Sequence, residues 1–385
     1  MGKIALVAGA LANKPHNGGE AWVRLSWALG LRRLGFDVWL VEQIDRRACV
    51  DTSGRPAPFE ACSGRAYFAE VTREFALADR AALVCADGRE TLGPSYAELV
   101  DLARSAELLV NISGHLRLEP LRSAVRRKVW IDIDPGYTQF WHADGQATVD
   151  GHDAYFTIGE NIGTPRCTIP TGGIPWRPIR QPVVLADWPV CPAAGCRFTT
   201  VASWRGAFGP IERNGTRFGV KVHEFRRLAR LPELVNAELE IALDIHPADQ
   251  RDRQLLADHG WRLVDPRGVA RGPRDFQRYI QQSAAEFSVA QGIYAETHCA
   301  WFSDRSTRYL ASGKPVLVQD TGLAPHYPLG DGLLVFRTLD EAVQGIRRIT
   351  DDYEHHAHAA RAVAERYFDS DRVLGQMLDT IGIVP

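Results

Sequence analysis

The chain has 385 residues, 45% of them apolar and 24% charged, with a formal net charge of -2. That length suits two domains of roughly 150–200 residues, and the composition excludes wholesale disorder. The near-neutral balance excludes a global attraction to nucleic acid or an anionic membrane, so any phosphate must be recognised by local groups.

The elements alternate from the start. KIALVAGAL (3–11) reads as a buried parallel strand, ANKPHNGG as a loop, and EAWVRLSWALGLRRLG as a helix closed by Gly35. FDVWLVEQ (36–43) is the next strand, which completes a βαβ unit. A helix over YAELVDLARS follows, then strands over 106–114, 127–136 and 153–161. From Gly172 to Cys196 the chain is dense in proline and glycine and sustains no period, which predicts a linker between domains.

A second alternating set begins at RFTTVASW (197–204). A helix over VKVHEFRRLARLP ends at Pro232, and strand ELEIALDIH (238–246) follows. Helix DQRDRQLLADHG, strand WRLVDP, helix PRDFQRYIQQS, strand AEFSVA, helix SDRSTRYLASG and strand KPVLVQDTG continue the alternation. The chain closes with GLLVF as a strand and then long helices. The expected architecture is α/β: two Rossmann-like parallel-sheet domains facing across a cleft, with the ligand at the carboxyl ends of the strands.

No stretch approaches about twenty uncharged apolar residues, so no membrane span is expected. The apolar start is short, and Asn13, Lys14 and His16 stand where a signal peptide needs small residues. Seven scattered cysteines (Cys49, Cys62, Cys85, Cys167, Cys191, Cys196, Cys299) lack the paired spacing of a zinc site and read as free thiols in a reducing cytoplasm. In HHAHAA (355–360), His355 and His358 share one helix face, where solvation accounts for them better than a metal. No Gly-x-Ser-x-Gly elbow occurs, and His298 beside Cys299 is adjacency in sequence only. The dominance of arginine over lysine, with abundant alanine, reads as bacterial GC-rich coding.

Several positions suit anion or hydroxyl chemistry. Ser303 is a good N-cap, and Ser306 and Thr307 place hydroxyls in the first turn, where free amides and the helix dipole attract a diphosphate. Gly18 and Gly19 let backbone approach a ligand closely. His115 and Asp134 each follow a strand and are candidate general bases for an acceptor hydroxyl. Asp320 and Thr321, after strand KPVLVQ, suit sugar hydroxyls; a turn in which Asp320 caps Gly322 is the equal alternative. TQFWH (138–142) reads as an acceptor-facing lid or as core.

HCAWFSDRSTRYLASGKPVLVQDTG resembles the donor-binding segment of GT-B glycosyltransferases, and the element order of nearly the whole chain resembles theirs. The resemblance implies that Ser303, Asp304, Arg305, Ser306 and Thr307, with the basic pair Arg205 and Lys221, grip a nucleotide diphosphate. It also implies that Asp265 lies near the base, where an Asp-Pro turn is the simpler account. Retaining members of the family commonly hold the ribose with a glutamate three residues before Ala-Ser-Gly. Arg308 stands there, which passes that task to Glu296 or Asp304 or changes how the nucleotide sits.

On this resemblance, residues 1–175 form an acceptor-side domain, 176–196 a linker and 197–365 the nucleotide-sugar domain, with 366–385 returning to the first domain. The implied partners are a UDP-, GDP- or dTDP-sugar donor and a hydroxyl-bearing acceptor, with no metal or other cofactor and no nucleic acid. The rival readings are a nucleotide-sugar epimerase and a non-catalytic binding protein of the same fold.

Overall fold

The apolar runs pair in parallel, as strands buried on both faces do. The computed structural model describes residues 2–193, 195–206, 208–213 and 215–384. Its first sheet contains β1 (Ile4–Ala8), β2 (Asp37–Ile44), β3 (Ala81–Cys85), β4 (Thr91–Leu92), β5 (Leu108–Ile112), β6 (Arg127–Asp132), β7 (Ala154–Thr157) and β8 (Arg177–Pro178). Their order is β4-β3-β2-β1-β5-β6-β7-β8, with only β4 antiparallel to its neighbour. Helices α1 (Gly18–Arg33), α2 (Ser63–Glu74), α3 (Tyr96–Ser105) and α4 (Tyr137–Ala143) belong to this half.

The second sheet runs β13-β12-β9-β14-β15-β16 and is parallel throughout. Its strands are β9 (Arg197–Ser203), β12 (Glu238–Asp244), β13 (Arg262–Val264), β14 (Ala285–Ser288), β15 (Val316–Gln319) and β16 (Leu333–Phe336). A separate antiparallel hairpin, β10 (Ile211–Arg213) and β11 (Thr216–Phe218), follows β9. Helices α5 (Lys221–Arg227), α6 (Gln250–Asp258), α7 (Pro266–Val269), α8 (Pro273–Gln281), α9 (Gly292–Glu296), α10 (Asp304–Ala311) and α11 (Leu339–Asp351) complete this half. The chain then runs through α12 (Tyr353–Tyr367) and α13 (Ser370–Thr380). α13 lies on α1 of the first half: Arg33 pairs with Asp371, and Leu374 crosses Gly30.

Strand order reverses between β1 and β5 in one sheet and between β9 and β14 in the other. The loops after those strands diverge there and leave a crevice, the usual ligand position in open parallel sheets. One hydrophobic cluster unites Trp22, Trp27 and Trp188 with Phe276, Ile280 and Tyr309, so the halves share packed core.

Two local expectations are corrected and one open alternative is decided. The Pro/Gly-rich stretch is built into the fold: β8 extends the first sheet and Trp188 is fully buried, because prolines break helices but do not prevent burial. TQFWH lies in helix α4, and Phe140 stacks on Phe218 of the hairpin, which is core packing. The helix at 221 stops at Arg227, with a 3-10 turn at Leu231–Leu234. No helix among the described residues is long and apolar enough to cross a membrane.

Candidate functional site

The carboxyl ends of β9, β12 and β13 and the start of α10 wall a cavity of about 1070 Å3. The opposite wall is the turn into α1, with His16, Asn17, Gly19 and Glu20. Arg205, Asp304 and Arg305 line this one cavity, so the basic loop after β9 and the mouth of α10 face a shared space.

At α10, Ser303 takes extended backbone angles and its Oγ accepts from the Arg305 amide at 3.3 Å. Thr307 Oγ1 donates to Asp304 O at 2.7 Å. Ser306 Oγ is buried without a hydrogen-bond partner among the described residues. The hydroxyls of Ser303 and Thr307 thus serve the helix itself, and an anion here would meet main-chain amides and the dipole.

Arg305 lines the cavity but is also committed to the fold. Its Nε donates to Glu286 Oε1 at 2.6 Å, Nη1 to Val201 O at 2.8 Å and Nη2 to Ser288 Oγ at 2.5 Å. This buried guanidinium braces β9 and β14 against α10, because Glu286 has no exposure and needs a countercharge. Asp304 lines the cavity and is held by Arg308, whose Nη1 lies 3.1 Å from Oδ2.

Lys221 opens α5, with Arg305, Glu286 and Asp304 as its charged neighbours. Burial, then repulsion by Arg305, pushes its ammonium down to about 7. Arg205 is 60% exposed and forms a two-pronged pair with Asp249, Nε to Oδ2 at 2.8 Å. Nη1 of Arg205 takes no part in that pair, and the residue lines the cavity.

Three expected contacts, Asp320, Thr321 and Glu296, fall elsewhere, and a fourth, Asp265, is held in its own turn at the cavity wall. Asp320 accepts from the Gly322 amide at 2.8 Å and pairs with Arg337 at 2.6 Å, which is the turn alternative. Thr321 Oγ1 donates to Trp301 O at 2.7 Å. Asp265 lines the cavity but caps α7 through the Arg267 amide at 2.9 Å and pairs with that arginine's side chain. Glu296 closes α9 beside Gly219 and is not among the described residues lining the cavity.

Gly18 and Gly19 differ from each other. The Gly18 amide donates to Ala270 O at 2.8 Å, and a Cβ there would come within 2.1 Å of Gly272 O. Gly18 therefore docks α1 onto the second domain, while Gly19 borders the cavity.

On the first-domain side, His115 and Asp134 share the charged neighbours Lys14, Glu20 and Arg24. Neither is among the described residues lining the main cavity, but Glu20 is, so the cluster adjoins it. Burial raises Glu20, but Arg24 and Lys14 outweigh it and hold the carboxyl down to about 2. Lys14 Nζ sits 2.8 Å from Glu20, and Arg24 pairs with it from one turn along α1. Burial, then Arg24 and Lys14, pushes His115 down to about 3, which leaves a neutral imidazole and a weak base near pH 7. Burial raises Asp134 to about 6, a better match to general-base work.

Sequence reading passed over Glu20, Arg24, Asp249 and Glu286. Glu286 carried a signal, a lone carboxylate within the apolar strand AEFSVA; the others look like ordinary helix-surface charges. Cys85, Asp87 and Glu90 form a metal-sized group on the β3–β4 edge, but Arg46 already pairs with both carboxylates.

No family model matches the chain, and no curated protein matches it in sequence. Solved structures do match in fold. An alpha-glucosyltransferase in complex with UDP superposes with a TM-score of 0.56 at 11% identity, over 99% of both chains. Anabaena Alr3699/HepE in complex with UDP-glucose gives 0.59 at 12%, over 98% of this chain and 99% of its own. AviGT4, a glycosyltransferase involved in avilamycin A biosynthesis, gives 0.56 at 14%, over 99% and 97%. With both sheets parallel and the cavity at their facing ends, the chain has the GT-B fold of these glycosyltransferases.

Proposed function

We propose that this chain is a glycosyltransferase that moves a sugar from a nucleotide diphosphate to a hydroxyl-bearing acceptor. The observation that carries the reading is the shared cavity: Arg205 and the α10 mouth line it together, with Lys221 beside Arg305 behind. A departing nucleoside diphosphate gains negative charge on its bridging oxygen, and preorganised amides and cations stabilise that charge at little reorganisation cost. The nucleoside extends along the ends of β12 and β13, and the sugar points toward Glu20 and the Asp134–His115 cluster. Asp134 accepts the acceptor's proton if the reaction inverts; in a retaining reaction the donor phosphate takes it.

The UDP and UDP-glucose complexes of the structural neighbours support a UDP-sugar as the first donor to try. Thermal unfolding with UDP, GDP and dTDP and their sugars tests the reading, since a ligand at 100 times its Kd stabilises by about 2.7 kcal/mol. Stabilisation by one nucleotide diphosphate is expected, with Arg205→Ala weakening it more than His115→Ala does. No stabilisation by any of them defeats the proposal. Arg308, buried and bonded to Ser26 Oγ at 3.1 Å where a ribose-binding acid is common, favours one rival, a binding protein without turnover. Nucleotide release that depends on an acceptor separates the two.

A further inference from the structure

The strands of the first sheet are apolar along most of their length, yet β2 carries two polar side chains, Glu42 and Gln43, just before its last residue. Glu42 is 1% exposed. Its Oε2 accepts from the amides of Leu11 and Ala12, each at 2.7 Å. Its Oε1 accepts from the Asn13 amide at 2.8 Å and from Asn13 Nδ2 at 2.7 Å. The same Nδ2 donates to Gln43 O at 2.8 Å. Gln43 Oε1 accepts from the amides of Arg117 and Leu118 at 2.9 and 3.0 Å.

Successive side chains on a strand leave from opposite faces, so these neighbours reach two different loops. One loop runs from β1 into α1 and carries Lys14 and His16; the other follows β5 and carries His115. Both loops flank the point where strand order reverses. Three consecutive amides at 11–13 would make a ready anion nest, but the carboxylate of Glu42 already fills it. Only an ionised carboxyl offers two acceptor oxygens and no donor; glutamine would set an NH2 against N–H groups on one side.

We propose that Glu42, aided by Gln43, is a positioning residue of the cleft: it fixes the loop bearing Lys14, and through it the Lys14–Glu20–Arg24 cluster, without touching the ligand. The activity arm of this proposal rests on the glycosyltransferase reading; the structural arm does not. On that reading the nucleotide is gripped mainly by the second domain, so loss of Glu42 should act on the transferring sugar's side of the cavity.

The test uses Glu42→Gln in the full chain, with amide hydrogen exchange, UDP titration and turnover of UDP-glucose. Amides of 11–20 are expected to exchange about tenfold faster or more, while those of 300–312 keep their rates. UDP affinity should stay within about threefold and saturating turnover fall about 10- to 100-fold, the scale of a small misplacement of reacting groups. If Glu42→Gln does not fold, Asn13→Ala removes two bonds of the same network from a less buried side chain and should shift exchange in the same segment. Unchanged exchange at 11–20, or an equal rise throughout the chain, overturns the proposal. If the wild-type protein binds none of UDP, GDP and dTDP and consumes none of their sugars, the transferase reading falls and the exchange arm alone decides the positioning role.

Discussion

Lys221 and Asp134, one in each half of the fold, both have shifted acidities. Burial holds the Lys221 ammonium down to about 7, so near neutral pH it is only partly charged. On the proposed reading, an incoming diphosphate would favour the charged form, so binding should take up a proton and the affinity for UDP should fall as pH rises above about 7. Titration calorimetry in two buffers of different ionisation enthalpy reads that uptake; Lys221→Met should abolish it and weaken binding about tenfold or more, as loss of a charge-assisted hydrogen bond does. Binding with no proton uptake between pH 6.5 and 8.5 would contradict this role. Asp134 is shifted upward, to about 6, so the fold prefers its protonated form. That preference stabilises the fold below pH 4 and is lost as pH rises through 6. Asp134→Asn should therefore raise the Tm at pH 7–8, leave it unchanged below pH 4, and lower turnover. Both residues are legible as loop charges in the sequence. Their acidities are not, because each comes from burial and from neighbours such as Arg305 or Lys14 on other elements.

At the scale of elements, α10 matters most. The cap Ser303, the first-turn acid Asp304 and the small-x-Gly-x-Pro turn mark its start and end plainly. Arg305 has a role that the helix alone does not show: its guanidinium turns inward to Glu286 on β14 and Val201 on β9. Arg305→Leu leaves Glu286 buried without a partner and should destabilise by about 3–5 kcal/mol in denaturant unfolding. Ser303→Ala removes only the cap and should cost about 1 kcal/mol. Equal losses for the two variants would refute the brace. The β10–β11 hairpin escaped notice because two three-residue strands carry too little periodicity to register. Its position is set by Phe208 and Phe218 packing on Tyr137, Trp141 and Phe140 of the other domain.

Across the whole molecule the two sheets are joined on several sides. Trp22 Nε1 donates to Pro273 O at 2.8 Å, and Gly18 seats against Gly272. On the far side, Asn161 Nδ2 donates to His298 O at 2.8 Å, and Tyr327 bonds to Glu160. With apolar core continuous through this interface, calorimetry should show one cooperative unfolding transition, and two resolved transitions would contradict it. The strand-helix alternation, the parallel sheets and the helix start at Ser303 follow from periodicity, turn residues and caps, which are properties of neighbouring residues in the chain. Tertiary structure alone decided that Gly18 docks a domain, that Asp320 pairs with Arg337, that Arg305 is a brace and that Glu42 holds a loop. A hydrogen bond or a countercharge satisfies whichever buried group lies within reach, and reach in space between residues distant in sequence is set only when the sheets and helices pack.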